Sequence, residues 1–336
     1  VPTRSPKPIL LNVLLANGGI TASDLELQVS AEIPWTGEPL LLPQARLSAI
    51  LSAATGDEVT ISPDGTSCVV SVGDGRWTLP TEAAAEYPTW EPDGLKPICR
   101  IPADQFCRAV RAVVYATDND SSRYALGGVL VEMSAGVVTF VGTDGRRLAT
   151  CEVEVDQATD DGTTLIPARA IQAMAAAASH SEGAVQLEAN AKEVQATIDG
   201  TVVTARLVEG KFPKWRDVFP ERDVKPTIFA APELLAATRQ AAIVTSEQSR
   251  GVTFAITSEG LHLTARSSEA GESSVTCPVL EFGQAATVSL DPTFVVDFLR
   301  SVDEAEPAEI EAAGPGDAVF LRSGDCKSII MPLAKD

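Results

Sequence analysis

Three stretches of the chain follow one pattern, and that repetition limits the fold more than any other feature. Val13 to Ile33, Val129 to Val155 and Val252 to Val279 each read as strand, turn, strand, polar corner and third strand. Asp24, Asp144 and Ser267 occupy the corner, 120 and 123 residues apart. A second set, Leu41 to Ala54, Leu165 to Ala178 and Ser289 to Val302, carries proline at positions 43, 167 and 292, spaced by 124 and 125. The proline lies at or near the first helical turn, where its missing N–H costs nothing, and apolar residues then recur at helical spacing. Further strands follow, and the first two repeats run on into "YPTW" at Tyr87 and "FPKW" at Phe212.

A leading helix heads the second and third repeats, over Ile101 to Ala116 and Phe229 to Val244. The first repeat opens directly on "TRSPKPILLNVLL", so its leading helix is either absent or lost upstream of Val1. A complete repeat is therefore helix, three strands, helix and about four strands, roughly 110–125 residues, the size of one domain. Boundaries near Pro97 and Val224 predict domains over residues 1–97, 98–223 and 224–336.

Composition removes several functions. The longest apolar runs fall well short of the ~20 residues a membrane-spanning helix needs, and the N-terminus carries no secretory pattern. Six cysteines lack any CxxC pairing and read as reduced core thiols of a cytosolic protein. With only His180 and His262, neither a zinc site nor a histidine-based triad has support from ligand spacing. No GxxxxGK[ST] or GxGxxG stretch offers a phosphate cradle, so no cofactor and no metal are expected. A net charge of −20 argues against a protein that coats nucleic acid with its whole surface, but leaves room for one basic face.

Asp144-Gly145-Arg146-Arg147 resembles a catalytic loop in isolation. The repeat explains its acid: Asp144 recurs as Asp24, and an Asp at such a corner can accept from backbone amides two residues on. Arg146 and Arg147 have no counterpart in the other repeats, so something is asked of the middle one alone.

"TDGRRLA" (Thr143 to Ala149), "VEGKFPKWRDVFP" (Val208 to Pro220), "SRGVTF" (Ser249 to Phe254) and "IIMPL" (Ile329 to Leu333) stand in order on this threefold repeat. With them the chain resembles the bacterial sliding clamps, the beta subunits of DNA polymerase III, over essentially its whole length. The resemblance implies an α+β fold of three similar domains, with two chains joined head to tail into a closed ring. Helices line the hole and antiparallel sheets form the outer wall. Such a ring tethers polymerase to duplex DNA topologically, without base readout. The acidic total then fits an outer wall that repels DNA while basic lining residues meet phosphates.

The lining residues so implied are Arg46, Arg108, Arg111, Arg123, Arg169, Arg239 and Arg300. In the family, the replicative polymerase, the clamp loader, repair polymerases and mismatch-repair proteins each insert a short peptide into one pocket between middle and last domains. Carried over residue by residue, that pocket is Leu126, Thr143, Gly145, Arg146, Arg147, Leu148, Pro213, Val218, Phe294, Ile329, Ile330, Met331, Pro332 and Leu333. Leu148, Pro213, Val218, Ile329 and Met331 are expected to form its apolar floor, with Arg147 bracing that floor or holding a peptide carbonyl. Asp217, where the family often has a basic residue, Ser249, where it often has a bulky one, and the terminal "AKD" depart from the pattern. "GRWTLP" (Gly75 to Pro80) matches the family's interface edge strand and sets Trp77 and Leu79 against Ile243 and Val244 of a second copy. The implied location is the cytoplasm, on the nucleoid, with no membrane partner.

Two other classes follow from the residues alone. One is a non-enzymatic repeat protein that binds protein or carbohydrate through its sheets. The other is an acid/base hydrolase on Asp144 and Glu209, which the corner's turn role disfavours because no second carboxylate is fixed nearby by spacing.

Overall fold

The computed structural model describes residues 6–118, 124–155, 161–219, 222–246 and 250–333. Five α-helices are present among them: α1 (Gln44–Ala53), α2 (Ala103–Val114), α3 (Ala168–Ala178), α4 (Ala231–Ala241) and α5 (Pro292–Ser301). They alternate with antiparallel strands in an α+β arrangement.

The chain divides into two compact units, Val1–Pro97 with Gly183–Leu207, and Ile98–Glu182 with Val208–Asp336. These cut across the repeats: the middle repeat gives its helices and first strands to the second unit and its last three strands to the first.

In the first unit, strands run in the order Leu40–Pro43, Asn12–Ala16, Gly19–Ser23, Leu27–Glu32, Thr201–Arg206, Glu193–Ile198 and Ala184–Ala189. The join between repeats is the antiparallel pairing of Leu27–Glu32 with Thr201–Arg206, in which Val29 faces Val203. A separate three-stranded sheet runs Val59–Asp64, Ser67–Val72, Gly75–Pro80. Its alternating residues Cys68, Val70 and Val72 point into a core with Leu15, Leu42, Leu47 and Ile50. Such period-two burial is what a half-buried strand dictates.

In the second unit, an eight-stranded sheet runs Gly162–Pro167, Gly128–Ser134, Val137–Thr143, Arg147–Glu154, Cys326–Ile330, Val319–Ser323, Pro307–Glu311 and Thr227–Ala230. Here too the third strand of one repeat, Arg147–Glu154, pairs with the last strand of the next, Cys326–Ile330. A four-stranded sheet follows the order Gly271–Cys277, Gly260–Ser267, Val252–Thr257, Ala286–Leu290. The helices lie side by side as α3, α2, α5, α4. Helix α2 buries Ala103, Phe106, Ala109, Val110 and Val113, the spacing of one helical stripe, and carries Asp104 in its first turn and Arg111 in its last, as the helix dipole favours. Helix α5 starts on Asp291, whose side chain accepts from the Thr293 amide at 2.9 Å, with Pro292 at its first position.

Each complete repeat has four strands between its two helices and three after the second, where three and about four were expected. The extra strand is the short run ending in Pro43 or Pro167, or ending at Leu290 just before Pro292. It reads in sequence as the helix approach, because the proline signal that marks the helix sits directly against it.

Candidate functional site

The corner that opens strand Arg147–Glu154 is built by its own side chains. Asp144 Oδ1 accepts from the amides of Arg146 (2.8 Å) and Arg147 (3.0 Å), and Thr143 Oγ1 accepts from the Gly145 amide. The first repeat does the same, with Asp24 accepting from Glu26 and Leu27 and Ser23 accepting from Leu25. In the third, Ser267 Oγ accepts from Glu269 and Ala270. Gly145 sits at φ +86, the left-handed region, where the first repeat forces Leu25 to +79. Asp144 is thus a turn former.

Arg147 is fully engaged within the chain. Its Nε reaches Asp144 Oδ2 at 3.1 Å, Nη1 reaches Asp297 Oδ2 on α5 at 2.7 Å, and Nη2 donates to the Tyr115 carbonyl at the end of α2 at 2.6 Å. Its guanidinium lies 4.4 Å from the Phe294 ring centroid and its side chain is 11% exposed. These contacts tie the middle repeat's corner to a helix of the last repeat. Gly142 supports this arrangement, since a Cβ there would run into the Val113 carbonyl of α2, two residues before Tyr115. Arg146 is exposed, with its guanidinium 5.5 Å from the same Phe294 ring.

The two arginines and the "IIMPL" strand are brought together by backbone pairing. Arg147 faces Ile330, Leu148 faces Ile329, and the Met331 amide donates to the Arg146 carbonyl at 2.9 Å. The Leu333 amide donates to the Ser289 carbonyl at 2.9 Å, and Pro332 between them is half-buried. Strand alternation sends Leu148 and Ile329 to one face of the sheet and Arg147 and Ile330 to the other, toward α2 and α5. Leu148 packs with Leu130, Val141 and Leu165, and against this cluster lie Ala125, Val208, Phe212, Trp215 and Phe219.

The five residues expected as one apolar floor therefore divide. Leu148 and Ile329 are buried, whereas Val218 and Met331 are 47% and 49% exposed and Pro213 is exposed. Leu126 is half-buried beside Ala125, which packs on the Leu148 cluster. Thr143 is buried and gives its hydroxyl to the Arg147 carbonyl at 2.6 Å. Among the candidate residues, Leu148 and Ile329 are thus buried, while Pro213, Val218 and Met331 offer exposed apolar side chains. Tyr115 and Asp297, which hold Arg147, and Trp215, which packs on the Leu148 cluster and is held by Glu132, were not among the expected residues. Trp215 Nε1 donates to Glu132 at 3.0 Å, and Arg216 bridges the same carboxylate. Nothing local in the sequence marks these partners, which lie 32 to 150 residues from the groups they hold.

Among the expected lining residues, Arg46 on α1, Arg111 on α2, Arg169 on α3, Arg239 on α4 and Arg300 on α5 are exposed. Arg111 Nε donates to the Ser301 carbonyl, and half-buried Arg108 pairs with Asp325 at 3.2 Å. Arg123, Ser249 and Ala334-Lys335-Asp336 lie outside the described residues.

Strand Gly75–Pro80 is an edge strand, but Leu79 is buried and half-buried Trp77 packs on the first unit's own core. Strand alternation turns both side chains inward, leaving the strand's backbone and exposed Arg76 and Thr78 at the edge. Ile243, 78% exposed at the end of α4, is the most exposed large apolar residue described, and Val244 beside it is half-buried.

The model of the DNA polymerase III beta subunit's central domain matches residues 100–214, and that of its C-terminal domain matches residues 216–333. A beta sliding clamp of Pseudomonas putida is 26% identical, with 99% of this chain and 94% of that protein covered. The beta subunit of Thermotoga maritima superposes with a TM-score of 0.91 at 21% identity, covering all of this chain and 94% of that one. A Pseudomonas aeruginosa sliding clamp solved with griselimycin bound gives 0.90 at 23% identity, again over all of this chain and 94% of that one. With two domain models of one family spanning about two thirds of the chain and the repeat reading the same way, the chain belongs to the sliding clamps, the beta subunits of DNA polymerase III.

Proposed function

We propose that this chain is a DNA polymerase processivity factor that works as a head-to-tail ring of two copies around duplex DNA. The observation that carries the ring is the pairing rule within the chain. The third strand of the first repeat pairs with the last strand of the second, and the third strand of the second pairs with the last strand of the third. Continuing the rule, the third strand of the last repeat, Gly271–Cys277, calls for the last strand of the first, Gly75–Pro80. Both are sheet edges. A second copy supplies the match, and two such seams close a ring and cover four edges that would otherwise invite uncontrolled pairing. Ile243 and Val244, which follow α4, pack beside Gly271–Cys277 and bring apolar area to that seam.

The three-domain organisation, with boundaries near residues 97 and 223, gives such a ring six similar segments. Exposed arginines on all five helices meet phosphates, and few contacts keep the complex weak and mobile, as sliding requires. The net charge of −20 keeps the remaining surface from adhering to DNA. The site around Leu148, Val218 and Met331 takes short apolar-ended peptides of polymerase, clamp loader, repair polymerases and mismatch-repair proteins. A relative with griselimycin bound supports a ligand-accepting surface in this fold. The chain acts by tethering and not by catalysis, in the cytoplasm on the nucleoid; no described helix is long and apolar enough to cross a membrane. The rival reading as a carbohydrate- or protein-binding repeat has no support in the matched families.

Sedimentation equilibrium tests the ring. Twice the chain mass at micromolar concentration is the expected result, and a monomer at that concentration removes the mechanism.

A further inference from the structure

Cys151 and Cys326 stand directly opposite each other at one end of the seam between strands Arg147–Glu154 and Cys326–Ile330. The Glu152 amide donates to the Asp325 carbonyl at 3.3 Å, so the adjacent cysteine pair falls at a position between ladder hydrogen bonds. Opposite Cα atoms are about 4.5 Å apart at such positions and their side chains come closest. That spacing falls within the ~4.4–6.8 Å a disulfide bridges. The two Sγ atoms lie 2.8 Å apart, and both side chains are buried. Cys68 and Cys107, by contrast, direct their thiols to backbone carbonyls.

The surroundings favour a thiolate on one of the two. Cys326 is held below the usual thiol range, first by the hydrogen bond from the Cys151 thiol and then by the nearby Arg108 guanidinium, against the opposing effect of burial. The same hydrogen bond and burial keep Cys151 protonated. Cys326 also follows directly on the exposed turn Gly324-Asp325, so opening one end of the hairpin brings its sulfur to solvent.

We propose that Cys151 and Cys326 form an oxidisable pair that hydrogen peroxide closes into a disulfide, covalently joining the strand that carries Arg147 and Leu148 to the strand that leads into Met331. The Cys326 thiolate attacks a peroxide oxygen, breaking the O–O bond; the departing hydroxide takes a proton and leaves as water, and Cys326 becomes a sulfenic acid. The Cys151 sulfur then displaces the remaining oxygen as a second water, taking up the thiol proton. Two thiols lose two protons and two electrons, and one peroxide is reduced to two waters. The link spans 175 residues of sequence, so it also restricts the unfolded chain.

The test uses the full chain, treated with dilute hydrogen peroxide, denatured and alkylated with iodoacetamide. The reduced chain offers six thiols, and the oxidised chain is expected to label at four. A digest should contain the Cys151 peptide joined to the Cys326 peptide, released by dithiothreitol, and the oxidised chain should unfold at higher urea than the reduced one. Cys326→Ala should retain all five of its thiols through the same treatment. Six labelled thiols in oxidised wild type, oxygen addition to Cys326 without linkage, or a bridge to any other cysteine or to a second chain would each overturn the proposal. Should the variant not fold, the wild-type peptide map decides by itself.

Discussion

Arg147 Nη1 sits 2.7 Å from Asp297 Oδ2, a contact that spans 150 residues of sequence and ties the middle repeat's corner to α5 of the last. Both side chains are largely buried, at 11% and 26% exposed. Asp297→Asn keeps the shape but removes the charge, leaving Arg147 with Asp144 and the Tyr115 carbonyl. A loss of about 1–2 kcal/mol in urea unfolding is expected, since charge-assisted bonds contribute more than neutral ones. Wild-type stability in the variant would show that the ion pair does not brace the corner.

Rim and base of the proposed peptide site should respond differently. Leu148→Ala removes a buried side chain and is expected to destabilise by ~2–4 kcal/mol. Val218→Ser and Met331→Ser alter exposed side chains and should stay within about 0.5 kcal/mol of wild type. Each rim change should nevertheless weaken a leucine- or phenylalanine-ended peptide by roughly tenfold, or ~1.4 kcal/mol. Calorimetry that finds unchanged peptide affinity in both rim variants would place the site elsewhere.

Ring closure separates in the same way. Ile243 is exposed in the single chain, so Ile243→Arg should leave circular dichroism and unfolding unchanged while converting dimer to monomer on sedimentation. Trp77 packs on its own domain's core, so Trp77→Ala should weaken the dimer and also destabilise the first unit by ~2–3 kcal/mol. A fully dimeric Ile243→Arg chain would contradict the seam.

Alkaline stability should carry the signature of a buried thiol. Burial pushes Cys99 up from 9.0 to about 12. The folded state therefore holds this proton more tightly than the unfolded chain. The resulting stabilisation is complete below pH 9 and is lost as pH rises toward 12, at up to ~1.4 kcal/mol per pH unit. Cys99→Ala should show a shallower decline across that window in denaturant titrations. A parallel decline would mean that Cys99 does not contribute.

The repeat, the turn role of Asp144 and the family were legible in the residues, because corners and helix starts depend on local chemistry that each repeat states again. Asp24 and Asp144 make the same two amide contacts, which is what comparison of the two stretches predicts. Contacts that depend on distant chain segments were not legible. Nothing in the spacing of "PTFVVDFLRS" announces that Asp297 meets Arg147, nor that Thr201–Arg206 joins Leu27–Glu32. The direction of Trp77 was missed for a related reason: "GRWTLP" identifies an edge strand, but which alternate face turns inward depends on the sheet's packing against the first unit's core. The short strands Lys96–Pro102 and Thr227–Ala230 that lead into α2 and α4 were not read as strands, and their last two residues fell within the expected helices, since each runs directly into helix-forming residues.

Retention on DNA by topology is the property from which the rest of the proposed function follows. The direct measurement loads the chain onto a nicked circular plasmid with its cognate clamp loader and ATP, removes free protein by gel filtration, and then cuts the circle once. The ring predicts that the chain co-elutes with the intact circle in high salt, where phosphate contacts are screened, and is lost once the DNA is linear. Equal retention on circular and linear DNA, or release from the circle by salt alone, would contradict it.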